Sequence, residues 1–329
     1  MYGVGGALHK ARHRDQRSMR DADQAELAAL RHGAALVDEG TYDDLVAGAM
    51  DDFEQGTDEA IQQEFHARDL AEDAGTGRTQ EMVERRQELL GDLYPFRLED
   101  NRLVHNGEAL GLYEFLLISS VQTNIVSSPF NRIPQVFERV AAVLSTGLLG
   151  PGATSLHVGA PRDVSVGTSF KSAIAKLHEL TGEWNWRPDD DLPADGPPGG
   201  DDGLDFVAWL DTDSERPGRL FLIGQCACGD DWTSKFDELS LDRLGDWTGH
   251  SWKVKPTKLF AAPHVIADGH FVRAQKRAGL LLDRVRLCRL ASNLTEPDVL
   301  APFSGRNGTP HQSSFQQLTL ALAEAILIR

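Results

Sequence analysis

Cysteine is scarce in this 329-residue chain: there are three, Cys226, Cys228 and Cys288. An odd set of three builds no disulfide framework, and a reducing cytoplasm is the expected compartment. Cys226 and Cys228 are spaced too tightly for a zinc knuckle, and no His–Cys cluster completes one. In an extended segment their side chains share a face, so both are expected as small core residues. No apolar run is long enough to span a bilayer, and no membrane association is expected. Met1 to Gly6 lacks a charged stretch followed by an apolar one, so no secretory leader is expected. A Walker loop and a Gly-x-Ser-x-Gly elbow are both missing. The eleven histidines are scattered, and none pairs around a glutamate at the helical spacing of a zinc peptidase.

Basic residues are outnumbered, 33 Lys and Arg against 50 Asp and Glu, for a net charge of -17. That balance argues against non-specific nucleic-acid binding by the chain as a whole. The charge is unevenly spread. Ser251 to Arg329 holds 11 basic and 5 acidic residues, whereas the first 250 residues hold 22 and 45. A basic C-terminal segment on an acidic body is compatible with one face that meets phosphate.

Apolar residues make up 41% of the chain, enough for a substantial core. Residues 1–95 read as an acidic, helical N-terminal arm. Ala25–Leu30, Leu45–Met50 and Met82–Leu90 have helical spacing, with acidic residues dense from Asp38 to Asp73. The arm is expected either to pack on the body or a partner, or to be partly disordered. Residues 96–329 read as one α/β domain. A hairpin is expected from Phe96, turning at Asp100–Asn101, followed by a buried helix over Leu112–Ser119. Ile133, Phe137, Val140 and Leu144 share a helical face, and Gly147 to Gly152 ends that helix. Another helix runs from Thr168 to about Gly182. The Pro/Gly/Asp-rich stretch from Arg187 to Gly203 is expected as a flexible loop and flap, with Asp189, Asp190 and Asp191 solvated. Near the C-terminal end a buried strand, a helix from His270 and a strand over Leu280–Leu290 are expected, the last with Arg284, Arg286 and Cys288 on one face. That order suits a mixed central sheet flanked by helices.

The chemistry concentrates between Gly203 and Lys235. Asp205 opens the apolar run Phe206–Leu210, and Gln225 ends the run that begins at Leu220. Thr212 to Gly218 supplies a turn, so adjacent antiparallel strands are expected, with both side-chain oxygens near one ion. Asp230 is placed to cap a following helix. Trp232 and Phe236 would face inward on it, with Lys235 at the edge of the buried face. Two oxygen ligands on paired strands can hold a divalent ion against a phosphate, and an ammonium beside them can stabilise developing charge.

This hairpin resembles the core of the PD-(D/E)XK nuclease superfamily, which includes many restriction enzymes, over roughly Ile133 to Leu290. The family pattern is an acid on one strand, then an acid, one spacer and a lysine on the next. Asp205 matches the first acid. Gln225 takes the second position, as in Mrr-type members, which carry Gln-x-Lys. Ala227 occupies the lysine position, and Lys235 resembles the lysine that some members move onto the following helix. The resemblance implies a restriction-endonuclease-like fold and a metal-dependent DNA endonuclease. Mg²⁺ or Mn²⁺ is then expected on Asp205, Gln225 and a backbone carbonyl near Cys226, with Lys235 acting on the phosphate or orienting a water. Lys253, Lys255, Lys258, Arg273, Lys276 and Arg277 are expected to contact the DNA backbone without reading sequence. Members often carry a glutamate on the helix before the catalytic strands. Glu138 resembles it, Glu179 and Glu183 compete with it, and none of the three is assigned. By analogy the implied setting is bacterial defence, antiviral or restrictive, with the N-terminal arm engaging a protein partner. Gln225 and Ala227 are equally the marks of the alternative, a catalytically inactive nuclease-like scaffold or binding subunit.

Overall fold

The computed structural model describes residues 19–37, 77–106, 111–121, 133–197, 200–211, 216–229, 231–292 and 294. The helix expected over Leu45–Met50, the acid-dense run from Asp38 to Asp73 and the capping role of Asp230 lie outside these residues.

In chain order, helix α1 (19–32) precedes strand β1 (Ala34–Leu36), and helix α2 (77–90) precedes the hairpin β2 (Phe96–Glu99) and β3 (Arg102–His105). Helices α3 (Leu112–Val121) and α4 (Ile133–Leu149) follow. β1 pairs antiparallel with β3, making a small sheet of order β1-β3-β2. The described part of the first 95 residues is therefore built into the body. Ala22, Ala25, Ala29, Val83 and Leu90 share one apolar core with Phe115, Phe137 and Leu144. α3 is buried continuously from Tyr113 to Ser120, as a helix with no polar stripe must be.

Inside this core lies a network of charges. The Arg86 guanidinium donates to Glu26 at 2.7 Å and to the Met19 carbonyl at 3.0 Å. Arg284 grips Asp23 with two nitrogens, at 2.9 and 3.2 Å, and donates to Ser120 at 2.8 Å. The phenols of Tyr94 and Tyr113 donate to Glu26 at 2.6 and 2.8 Å. Burial opposes ionisation of Asp23, but Arg284 and Arg86 outweigh it and hold its carboxyl below the usual range. The network joins α1, α2, α3 and the chain's last described helix.

The main sheet contains β4 (Ala153–His157), β5 (Phe206–Leu210), β6 (Phe221–Cys226), β7 (Thr257–Ala261) and β8 (Leu280–Leu282), in that spatial order. β4, β5 and β6 are antiparallel, while β6, β7 and β8 are parallel. The fold is thus a mixed α/β one, a five-stranded mixed sheet flanked by helices. β4 has no counterpart in the sequence expectation. Alternation sorts the side chains. Phe206, Ala208 and Leu222 enter the core that holds α4. Val207, Trp209, Phe221 and Ile223 enter a second core with α5 (Phe170–Thr181) and α6 (Leu241–Thr248). Phe260 and Leu281 join a third with Trp232 and Phe236 of a 3₁₀ helix (Trp232–Asp237) and Ala274 of α7 (Asp268–Ala278). Among the described residues, no helix is long and apolar enough to cross a membrane.

Gly224 on β6 lies against the fully buried ring of Phe206, and a methyl group there would overlap the ring. Gly224→Ala is expected to lose about 1–3 kcal/mol, the usual range for overpacking, measured by urea unfolding. An unchanged midpoint would show that the ring has room to move.

The strand expected over Leu280–Leu290 is corrected beyond Leu282. The Asp283 carboxylate accepts from the Arg286 N–H at 3.0 Å and caps helix α8 (Arg284–Ala291). Arg284, Arg286 and Cys288 therefore do not share a strand face. Arg284 instead enters the buried charge network.

The stretch from Arg187 to Gly203 contains no helix over its described residues, yet it is anchored. Arg187 and Asp189 donate backbone N–H groups to the carbonyls of Trp247 and Asp246, and Leu192 packs on the second core. Asp189, Asp190 and Asp191 are exposed.

Candidate active site

Asp205 stands immediately before β5. Its carbonyl accepts from Val158 N and Gly159 N, both at 2.8 Å. Its N–H donates to the Gly224 carbonyl at 2.9 Å, one residue out of step with the ladder that pairs Phe206 with Gly224. Such a break in the ladder re-aims a side chain at a strand end. One carboxylate oxygen, Oδ2, accepts from the Cys226 N–H at 2.6 Å.

The second acid is Glu138. Phe137, beside it on α4, is fully buried and anchors the helix on the sheet. Glu138 then reaches the end of β4, where Oε2 lies 2.6 Å from Nε2 of His157. Gly159 follows two residues later. A Cβ at Gly159 would sit 2.8 Å from Glu138 Oε2 and 3.1 Å from Asp205 Oδ1. The two carboxylates thus converge over one bare backbone position, separated by at most the sum of those distances. Asp201, at the end of the anchored loop, is the third acid nearby. Its carboxylate accepts from Ala160 N at 3.2 Å and Gly203 N at 3.1 Å.

This proximity has an electrostatic price. Burial, then Asp201, pushes the Glu138 carboxyl up to about 8, against the opposing pull of Arg139 and Lys235. Burial, then Glu138, pushes Asp205 well above the usual carboxylate range, while the Cys226 N–H and Lys235 oppose the rise. Burial, then Arg139, pushes the His157 imidazole down to about 4. Two desolvated acids side by side favour protons or a cation. Burial and the same carboxylates push the thiols of Cys226 and Cys228 up, so both are neutral packing groups rather than nucleophiles.

The residues singled out in the sequence fall into two groups. Lys235 is half-buried on the 3₁₀ helix, and its charge acts on both Asp205 and Glu138. Ala227 is 3% exposed and packs with Trp232, Phe236 and Phe260. A lysine there would bury its stem and ammonium in that cluster, whereas position 235 keeps a path to solvent. Gln225 lies on the strand antiparallel to β5, but its amide nitrogen donates to Glu238 at 2.8 Å. Its amide oxygen is buried and has no hydrogen-bond partner among the described residues. The group that meets Asp205 across Gly159 is Glu138, and the contact from β6 is the Cys226 N–H.

The six basic residues lie elsewhere. β7 pairs with β6 in parallel, Thr257 beside Leu222 and Ala261 beside Cys226. Lys253 and Lys255 precede β7, so they sit toward the end of the sheet remote from Cys226 and Asp205. Lys253 N donates to Glu183, which also accepts from Gly218 and Arg219 at that end. Lys258 donates to the Phe236 carbonyl at 3.3 Å, and Arg277 pairs with Asp237. Arg273 and Lys276 are exposed on α7. Near the carboxylate cluster, Arg139 and Lys235 act on Glu138, and Arg162 acts on Asp201 and on the His157 imidazole.

Sequence reasoning weighed Glu138 without choosing it and did not single out His157, Gly159 or Asp201. Of the competitors, Glu179 is exposed and paired with Lys176, and Glu183 is buried as an acceptor for three backbone N–H groups. Among the described residues, no three of His, Cys, Asp or Glu form a ready-made metal cage. Magnesium does not require one, since it keeps several waters and takes one or two carboxylates plus substrate phosphate. The convergence of Asp205 and Glu138 meets that requirement. No family model matches this chain, and no curated protein or solved structure shows significant similarity to it.

Proposed function

We propose that this protein is a metal-dependent DNA endonuclease whose site is the pair Asp205 and Glu138, with Lys235 beside them. The observation that carries the reading is the convergence of two desolvated carboxylates over Gly159, with an ammonium close enough to act on both. The order of Asp205, the antiparallel strand ending at Gln225 and the displaced lysine supports a restriction-endonuclease-like assignment. Asp205 and Glu138 would hold Mg²⁺ or Mn²⁺, and the Gln225 amide, turned to Glu238, is not needed as a ligand. When bound, the ion lowers the pKa of a water and neutralises the scissile phosphate. The Cys226 N–H fixes one oxygen of Asp205 and leaves the other for the ion. Lys235 stabilises charge on the phosphate or orients the attacking water. A place in bacterial defence, a protein partner at the N-terminal region and a cytoplasmic setting rest on the resemblance and on composition.

The test is cleavage of plasmid DNA with Mg²⁺ or Mn²⁺ against the same reaction in chelator. Metal-dependent nicking or linearisation supports the reading. No cleavage by a folded protein under either metal returns the chain to the inactive scaffold. Lys235→Ala is expected to slow cleavage by roughly 10²–10³-fold, the scale for removing one charge-stabilising group, with little change in thermal stability. Lys235→Arg should restore only part of the rate, because the guanidinium is planar and larger. Parental activity in Lys235→Ala would remove the lysine from the mechanism.

A further inference from the structure

The two carboxylates of the site are held in different ways. Asp205 is short, and a backbone N–H fixes it. Glu138 is long and reaches the site from a helix, so its carboxylate has more torsions to restrain. The side chain that restrains it is His157, the last residue of β4, with Nε2 at 2.6 Å from Oε2. That oxygen is the one that faces Asp205 across Gly159. Both side chains are largely buried, 5% and 14% exposed. The other ring nitrogen, Nδ1, is buried without a partner among the described residues. Among the described residues, the polar contact of the imidazole is the one with Glu138.

We propose that His157 is a positioning residue that sets the Glu138 carboxylate for shared cation binding with Asp205. This rests on the metal-nuclease reading. With Glu138 ionised in the loaded site, a neutral imidazole donates its Nε2–H to Oε2. The remaining lone pairs of Oε2 and the whole of Oε1 stay available to the ion. Without that donor, the glutamate samples rotamers that turn it away from Asp205. A donor at the second remove from a metal typically contributes 10–100-fold in metal affinity.

The test is titration of the purified full-length protein with Mg²⁺, read by thermal shift and separately by plasmid cleavage. The variants are His157→Ala and His157→Gln. His157→Ala is expected to raise the Mg²⁺ midpoint by about 10–100-fold in both readouts, with the half-saturating DNA concentration unchanged. His157→Gln keeps an N–H donor and should recover part of the loss. It also serves where His157→Ala fails to fold. Parental Mg²⁺ midpoints in the folded variants, with a normal response in the parent, would overturn the role of His157 alone. A parent that neither shifts nor cleaves with Mg²⁺ or Mn²⁺ would overturn the metal-nuclease reading and this proposal with it.

Discussion

Asp205→Asn should reduce metal-dependent plasmid cleavage by roughly 10³-fold or more, the scale on which loss of a central electrostatic contact is felt. It should also leave the protein at least as heat-stable as its parent when no divalent ion is present. Both halves follow from one geometry. The carboxylate that would bind the ion is desolvated and faces Glu138, so its ionised form is disfavoured in the folded protein. Asparagine keeps the shape and the acceptor for Cys226 N–H while removing the charge. The sign of the pH dependence is fixed as well. Burial, then Asp201, pushes the Glu138 carboxyl from its ordinary 4.5 up to about 8. The folded state therefore holds a proton that the unfolded chain releases in that window. Stability from this group falls as pH rises from about 4.5 to about 8 and is level beyond. Mg²⁺ at pH 8 should accordingly raise the melting temperature of the parent, and do so far less in Asp205→Asn. A variant that cut DNA at the parental rate would reduce Asp205 to a turn residue.

Arg284→Ala is the substitution expected to harm the fold most. Removing one partner of a buried ionic group usually loses about 3–5 kcal/mol, because the remaining charges stay buried without compensation. Here Asp23 would lose both of its contacts to Arg284 and keep Arg86 at 2.8 Å, Ser120 would lose its charged donor, and Glu26 would lose a 3.3 Å contact. Glu26 would retain Arg86 and the two tyrosines. Arg284→Lys should recover little, since a single ammonium cannot reproduce the two-nitrogen grip on Asp23. Urea unfolding measures the loss. Below the unfolding transition the Mg²⁺ midpoint should stay parental, because none of the network's hydrogen bonds described above reaches Asp205 or Glu138. A loss under about 1 kcal/mol would place it with ordinary surface pairs.

Local pattern sufficed for the elements whose signal is local. The hairpin turning at Asp100–Asn101, the mostly apolar α3 and the amphipathic α4 each follow from turn residues or from side-chain period. The runs on either side of the turn before Leu220 likewise formed the antiparallel pair β5 and β6. Asp283 is a local signal that the strand reading did not use. Its capping potential reads as a helix start, but the alternation of Arg284, Arg286 and Cys288 reads as a strand. Asp23 and Ser120, buried partners of Arg284 more than a hundred residues away in the chain, favour the helix that carries Arg284 inward.

The sequence by itself determined that an acid and a neutral amide stand at the mouths of paired strands, and that the lysine of the resembled motif is missing from its usual place. Only the tertiary structure decided what surrounds them. Glu138, Glu179 and Glu183 are equivalent as sequence, each a carboxylate on or beside a helix. The packing of Phe137 aims the first at Gly159, while the others face solvent or backbone N–H groups. The parallel pairing of β7 carries Lys253 and Lys255 toward the far end of the sheet, whereas a break in the β5–β6 ladder turns Asp205 toward Glu138. Strand direction, ladder register and the face a helix buries are relations between segments distant in the chain. No local period encodes them, and they bring the two acids and the imidazole together and the ammonium within electrostatic reach of the acids.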